Sequence, residues 1–177
     1  ADQAIVGRIE LYSAPVDGST PALRLSATPV AGGGVLPELP LVTSDGTRVV
    51  YRADALSDGE VELFGVPSDG SAAPQRLNAP MAHAGLVVGV KLARDDARVV
   101  YSADQEVDEQ YELWSVPLDG SAAPVRVLRV AFSGVAGQAA LDVSATRVLC
   151  QADRDGNARI ELYSAPIDGS AAAVELS

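Results

Sequence analysis

The chain has 177 residues, of which 47% are hydrophobic and 5% aromatic, and it carries a net charge of −11. Val, Ala and Leu predominate, which suits thin, closely packed strands more than large helices. The acidity excludes the clustered basic surface that neutralises nucleic-acid phosphates or an anionic membrane, and no apolar run approaches the roughly 20 residues that span a bilayer.

The first residues, ADQAIVGR, contain no basic region followed by an apolar stretch, so no signal peptide is expected within them. From Glu10 the chain reads ELYSAPVDGSTPA. The same phrase returns as ELFGVPSDGSAAP from Glu62, ELWSVPLDGSAAP from Glu112 and ELYSAPIDGSAAA from Glu161. These starts lie 52, 50 and 49 residues apart, and a period near 50 marks one structural unit copied along the chain.

The second copy, residues 38–78, shows the unit best. Leu39 to Thr43 is a mostly apolar run, followed by the turn Ser44-Asp45-Gly46 and then Arg48 to Ala53. After a polar loop, Glu60 to Pro67 alternates glutamate with apolar residues, Ser68-Asp69-Gly70 turns the chain, and Gln75 to Leu77 closes the unit. Asp-Gly between β-prone runs signals a hairpin, because Gly tolerates the positive φ such turns need. Each unit therefore predicts a four-stranded antiparallel meander with strand positions A, B, C and D.

The third copy, 86–129, predicts strands at Leu86 to Leu92, Arg98 to Ala103, Tyr111 to Pro117 and Val125 to Leu128. The fourth, 135–177, predicts Val135 to Val143, Arg147 to Ala152, Ile160 to Pro166 and Ala173 to Leu176. Their A–B turns have eroded to Arg94-Asp95-Asp96 and Ser144-Ala145-Thr146. The first copy, 1–27, is a half unit: Ala1-Asp2 matches the Ala-Asp that ends strand B elsewhere, leaving C at Ile9 to Pro15 and D at Leu23 to Ser26.

Four-stranded antiparallel units at this period are the mark of β-propeller blades, whereas a β-solenoid uses shorter coils without this hairpin chemistry. SDG-x-RVVY-x-AD, then DRDGN-x-x-IELYS (Asp153 to Ser164), then DGS and a short R-L strand resemble the TolB-like propeller repeat. The block ADRDGNARIELYSAPIDGS is the most specific part, and the resemblance covers nearly the whole chain. The expected fold is therefore all-β, a single propeller segment over 1–177. Rings of this family close with about six blades, so three and a half blades imply a longer polypeptide or a ring completed by several copies.

Candidate site residues lie at the B–C loops. Asp2, Asp54, Asp104 and Asp153 recur at the end of strand B, where they either ring one face and attract a cationic ligand or cap their own loops by accepting backbone N–H bonds. Asp153-x-Asp155-Gly156-Asn157 has the alternating oxygens of a calcium loop, but these are also turn residues, and the matching loops do not keep the spacing. The expected ligand-binding set is Asp54, Asp104, Asp153, Asp155 and Asn157, with no metal and no cofactor assigned. His83, the only histidine, has no partner legible in the sequence and reads as a lone surface residue. AGGGVLP, from Ala31 to Pro37, has the glycines of a phosphate loop but leads into a strand, so it reads as a connection. Tyr12, Phe64, Trp114 and Tyr163 share one strand-C position and predict packing between blades. Cys150 stands where Tyr51 and Tyr101 stand, as a small core residue, not a nucleophile.

No catalytic constellation is present, and the expectation is a non-enzymatic binding or scaffold module. Its least repetitive loops, Thr28 to Pro37, Pro80 to Gly85 and Val130 to Gly134, would share one face with the B–C loops. The family's namesake belongs to an envelope complex and binds a peptidoglycan-associated lipoprotein, so the resemblance implies a protein partner and a periplasmic or extracellular setting. Alternatives are the propeller of a larger prolyl-oligopeptidase-type enzyme, whose G-x-S-x-G nucleophile motif is not in these residues, or a split or engineered half-propeller that self-assembles.

Overall fold

A computed structural model describes residues 7–129, 140–154, 156–157 and 159–177. The chain is all-β, with no helix among the described residues. A ribbon of β1 (Tyr12–Ser13) and β2 (Leu23–Arg24) precedes three four-stranded sheets. These are β3 (Leu41–Val42) to β6 (Gln75–Arg76), with β4 (Arg48–Ala53) and β5 (Glu62–Pro67) between them; β7 (Val87–Leu92), β8 (Arg98–Ala103), β9 (Glu112–Pro117) and β10 (Val125–Leu128); and β11 (Ala140–Val143), β12 (Arg147–Ala152), β13 (Glu161–Pro166) and β14 (Val174–Glu175). Each is an antiparallel meander in chain order, as the repeat predicts.

The central hairpin of each four-stranded sheet keeps one register: Arg48 faces Pro67 and Ala53 faces Glu62, as Arg98 faces Pro117 and Arg147 faces Pro166. Among the outer strands β7 and β10 match the predicted runs, whereas β3, β6 and β14 are shorter. β3 spans only Leu41–Val42 within the predicted Leu39 to Thr43, because Pro40 offers no ladder N–H and Leu39 is 92% exposed. In the third copy the A–B turn survives without its glycine. Asp96, at φ 56°, bonds back to the Ala93 carbonyl at 2.9 Å, as Gly46 does to Thr43.

The C–D turns are alike in all four copies. Gly18, Gly70, Gly120 and Gly169 sit at φ 67–69°, and each N–H returns to the carbonyl of the proline three residues before it. Each is a β-turn at the end of strand C with a left-handed glycine, a conformation glycine fills without strain, and the chain runs on from it before strand D pairs, Gly65 with Gln75 and Ser164 with Val174. The preceding aspartate accepts the backbone N–H of the following serine at 2.9–3.0 Å. The Ser19 and Ser71 N–H groups hold Asp17 and Asp69 below the usual carboxylate range, and the Ser170 hydroxyl leads the same effect on Asp168.

The chain forms two compact units, 1–76 and 77–177. In the first, Leu25 joins Val49, Tyr51, Ala53, Phe64 and Val66 of the β3–β6 sheet in one apolar core. In the second, Val100, Leu113, Val127 and Leu128 pack with Val148, Cys150, Ala152, Tyr163 and Ala165 of the last sheet. The two cores use one packing step. A Cβ on Gly70 would strike the Leu23 side chain, and one on Gly169 would come within 3.2 Å of Val125, which holds the same repeat position as Leu23.

Candidate functional site

Each B strand delivers an aspartate to a loop face, and the structure gives the carboxylates backbone work there. Asp54 accepts the Gly34 N–H at 2.6 Å and the Gly59 N–H at 3.4 Å. Asp104 accepts those of Leu86 at 2.7 Å and Glu109 at 3.3 Å. Asp153 accepts those of Gly156 and Asn157 at 2.7 and 3.1 Å. Asn157 in turn accepts the Arg159 N–H, so Asp153 and Asn157, the described side chains of the calcium-like loop, serve its own turn. Asp2 and Asp155 lie outside the described residues.

The bonds to Gly34 and Leu86 tie the B–C loop to the D–A loop that precedes the same sheet. A second tie repeats at equivalent positions: Val30 N–H to the Ala55 carbonyl and Ala82 N–H to that of Gln105, both at 3.0 Å. Within these ties the D–A sequences differ freely, TPVAGGG in one unit and PMAHAGL in the other. A cleft of about 470 Å³ opens in the first unit between the 7–9 segment, the 32–37 loop and Asp54. Its glycines are required by close approach: a Cβ on Gly33 would collide with the Asp54 carbonyl, and one on Gly32 would lie 2.6 Å from the Asp58 carboxylate.

Four residues past Asp54 and Asp104 stand Asp58 and Asp108, exposed carboxylates that the repeat alignment alone does not single out. Negative charge converges around the second pair. The Tyr111 hydroxyl is held protonated first by burial and then by the charges of Asp104, Glu109 and Asp108. His83, expected as a lone surface residue, instead places Nδ1 3.5 Å from Asp108 Oδ1. Its ligand atoms, with those of Asp104 and Asp108, all lie within 4.8 Å of one another. The juxtaposition spans two loops and has no signature in linear spacing.

A second recurrent pair lies inside the sheets. The first glutamate of strand C is buried in three copies, Glu10, Glu62 and Glu112, and each meets the arginine fourteen residues on in strand D. The contacts are Arg24 to Glu10 at 3.1 Å, Arg76 to Glu62 at 2.7 Å and Arg126 to Glu112 at 3.3 Å. Burial pushes the Glu62 and Glu112 carboxyls up, and the arginines oppose it. The fourth copy breaks the pattern: Glu175 takes the arginine position, and the buried Glu161 Oε2 has no hydrogen-bond partner among the described residues. The fourteen-residue spacing was the sequence signal for this pair.

The aromatic strand-C column is buried at Phe64, Trp114 and Tyr163. Phe64 stacks on Tyr51 with centroids 5.5 Å apart, and the Arg126 guanidinium lies 5.8 Å from the Trp114 ring. In strand B, the Tyr51 hydroxyl accepts the Ala27 N–H at 3.4 Å, and Tyr101 takes that of Ala79 at the equivalent place. Burial pushes Tyr51 up to about 12 and Tyr101 higher still. Cys150 replaces this tyrosine, fully buried, its thiol pushed up to about 11 by desolvation, far from a nucleophile's range.

Within each unit the candidate site is thus a pair of aspartate-anchored loops on its own sheet frame. No protein-family model matches the chain, and no curated protein matches its sequence.

Proposed function

We propose that the chain is a non-catalytic binding module, a segment of a TolB-like β-propeller that presents its loop face to a basic protein partner. The observation that carries this reading is the shared anchoring of unlike loops. The Asp54–Gly34 and Asp104–Leu86 bonds, with the Val30–Ala55 and Ala82–Gln105 backbone ties, hold segments of different sequence at the same places. A constant frame with variable loops is how binding sites are built on rigid scaffolds. The repeated step of a glycine turn against Leu23 or Val125 supports blade-on-blade packing. The exposed carboxylates Asp58 and Asp108, on a chain of net charge −11, favour a cationic partner.

Titration with a lysine- and arginine-rich decapeptide at low and moderate salt tests the reading. Salt-sensitive binding is expected, weakened several-fold when Asp58→Asn and Asp108→Asn are combined. Asp69→Asn, in a C–D turn at the opposite end of strand C, should leave it unchanged. No binding at low ionic strength, or an equal loss from Asp69→Asn, would overturn it.

A further inference from the structure

We propose that His83, Asp104 and Asp108 form a binding site for a divalent first-row transition metal of the zinc type, clamping the D–A loop to the B–C loop of the second unit. Three observations converge. The three candidate ligand atoms lie within 4.8 Å of one another, one imidazole nitrogen with two carboxylate oxygens. Two ligands about 2.1 Å from one tetrahedral ion stand about 3.4 Å apart. The His83 Nδ1 to Asp108 Oδ1 separation is 3.5 Å.

The second observation is the state of the histidine. Both ring nitrogens are buried at the atom level and neither has a hydrogen-bond partner among the described residues. A neutral imidazole always has one donor and one acceptor to satisfy, and withdrawing both from water without partners is costly. At 3.5 Å the Asp108 carboxylate is a charge neighbour that completes no hydrogen bond to Nδ1. A metal ion supplies what the acceptor nitrogen lacks. Asp104 is 3% exposed and oriented by the Leu86 and Glu109 N–H groups, the outer-shell support that fixes a ligating carboxylate.

The third is the space left by Gly85. A Cβ there would lie 3.0 Å from Asp104 Oδ1, 3.1 Å from His83 Cε1 and 3.1 Å from Met81 Sδ, so glycine lets the carboxylate and the imidazole stand close without either giving way. The first unit provides an internal comparison. It repeats the carboxylate spacing with Asp54 and Asp58 but has Ala31 where His83 stands, so only the second unit carries the nitrogen ligand that favours zinc over calcium. With three protein ligands, water completes the coordination.

The site does not depend on the partner reading, since it is tested on the chain alone with Zn²⁺ as the probe. His83 is the only histidine, so its ring ¹⁵N resonances can be followed without ambiguity in the 177-residue protein. One equivalent of Zn²⁺ should shift them, while Ca²⁺ should not. By calorimetry, one Zn²⁺ should bind per chain, and His83→Ala and Asp108→Asn should each weaken it about tenfold or more. Ring nitrogens unmoved at saturating Zn²⁺, or equal Zn²⁺ affinity in His83→Ala, would overturn the proposal. The ring resonances come from the unaltered protein, so a folding defect in either variant leaves that readout decisive.

Discussion

Glu62 has no exposed surface, and its charge is tolerable only because Arg76 sits 2.7 Å away. Removing the arginine strands the carboxylate. For Arg76→Ala we expect a loss of about 2–3 kcal/mol, below the roughly 3–5 kcal/mol of a fully buried pair because a third of the arginine side chain is in solvent. The loss should depend on pH with a definite sign. Burial already raises the Glu62 carboxyl above its ordinary 4.5, and deleting Arg76 removes the influence that lowers it. A raised folded value means stability that is complete below the unfolded value and is lost as pH rises through the folded one. The variant's deficit should therefore be greatest at neutral pH and shrink towards about pH 5, which urea denaturation at both pH values would measure. A deficit that grows on acidification would contradict this. At this scale the sequence is only half legible. Asp54, Asp104 and Asp153 stand out because they repeat, whereas Asp108 and His83 acquire meaning only when two loops meet.

In the three whole copies strands B and C were legible almost to the residue, since each is a short, mostly buried run bounded by turn residues. Edge strands were as legible in the third copy, where β7 and β10 fall on the predicted runs, but not in the second, where proline and exposure trim β3 to two residues. The third A–B turn, with Asp96 at φ 56°, shows a geometry outlasting its signature residue. Strand β14 carries the sharpest consequence. Its Glu175 stands where the other copies place arginine, in the sheet whose Glu161 Oε2 has no hydrogen-bond partner among the described residues. Glu175→Arg should rebuild the pair found in the other three sheets and raise stability by about 0.5–1 kcal/mol. Thermal melting of the single variant and of its double with Glu161→Gln checks this, since the gain should vanish in the double. An equal gain in both would mean that the arginine acts elsewhere.

At the scale of the molecule, the single tryptophan and the single cysteine both belong to the 77–177 unit: Trp114 on β9 and Cys150 within the core shared by its two sheets. Tryptophan fluorescence and thiol accessibility should therefore change at one urea midpoint, with Cys150 nearly inert to thiol reagents in the folded state. Two separate midpoints would show that the sheets of that unit open independently.

The glutamate–arginine pairs close within their own hairpins, never between sheets. A hairpin copied by gene duplication then brings its own neutralising cation with it. Copy number can rise or fall without any new copy waiting for a complementary charge to evolve in its neighbour, and a lineage of such repeats can explore length before it refines sequence.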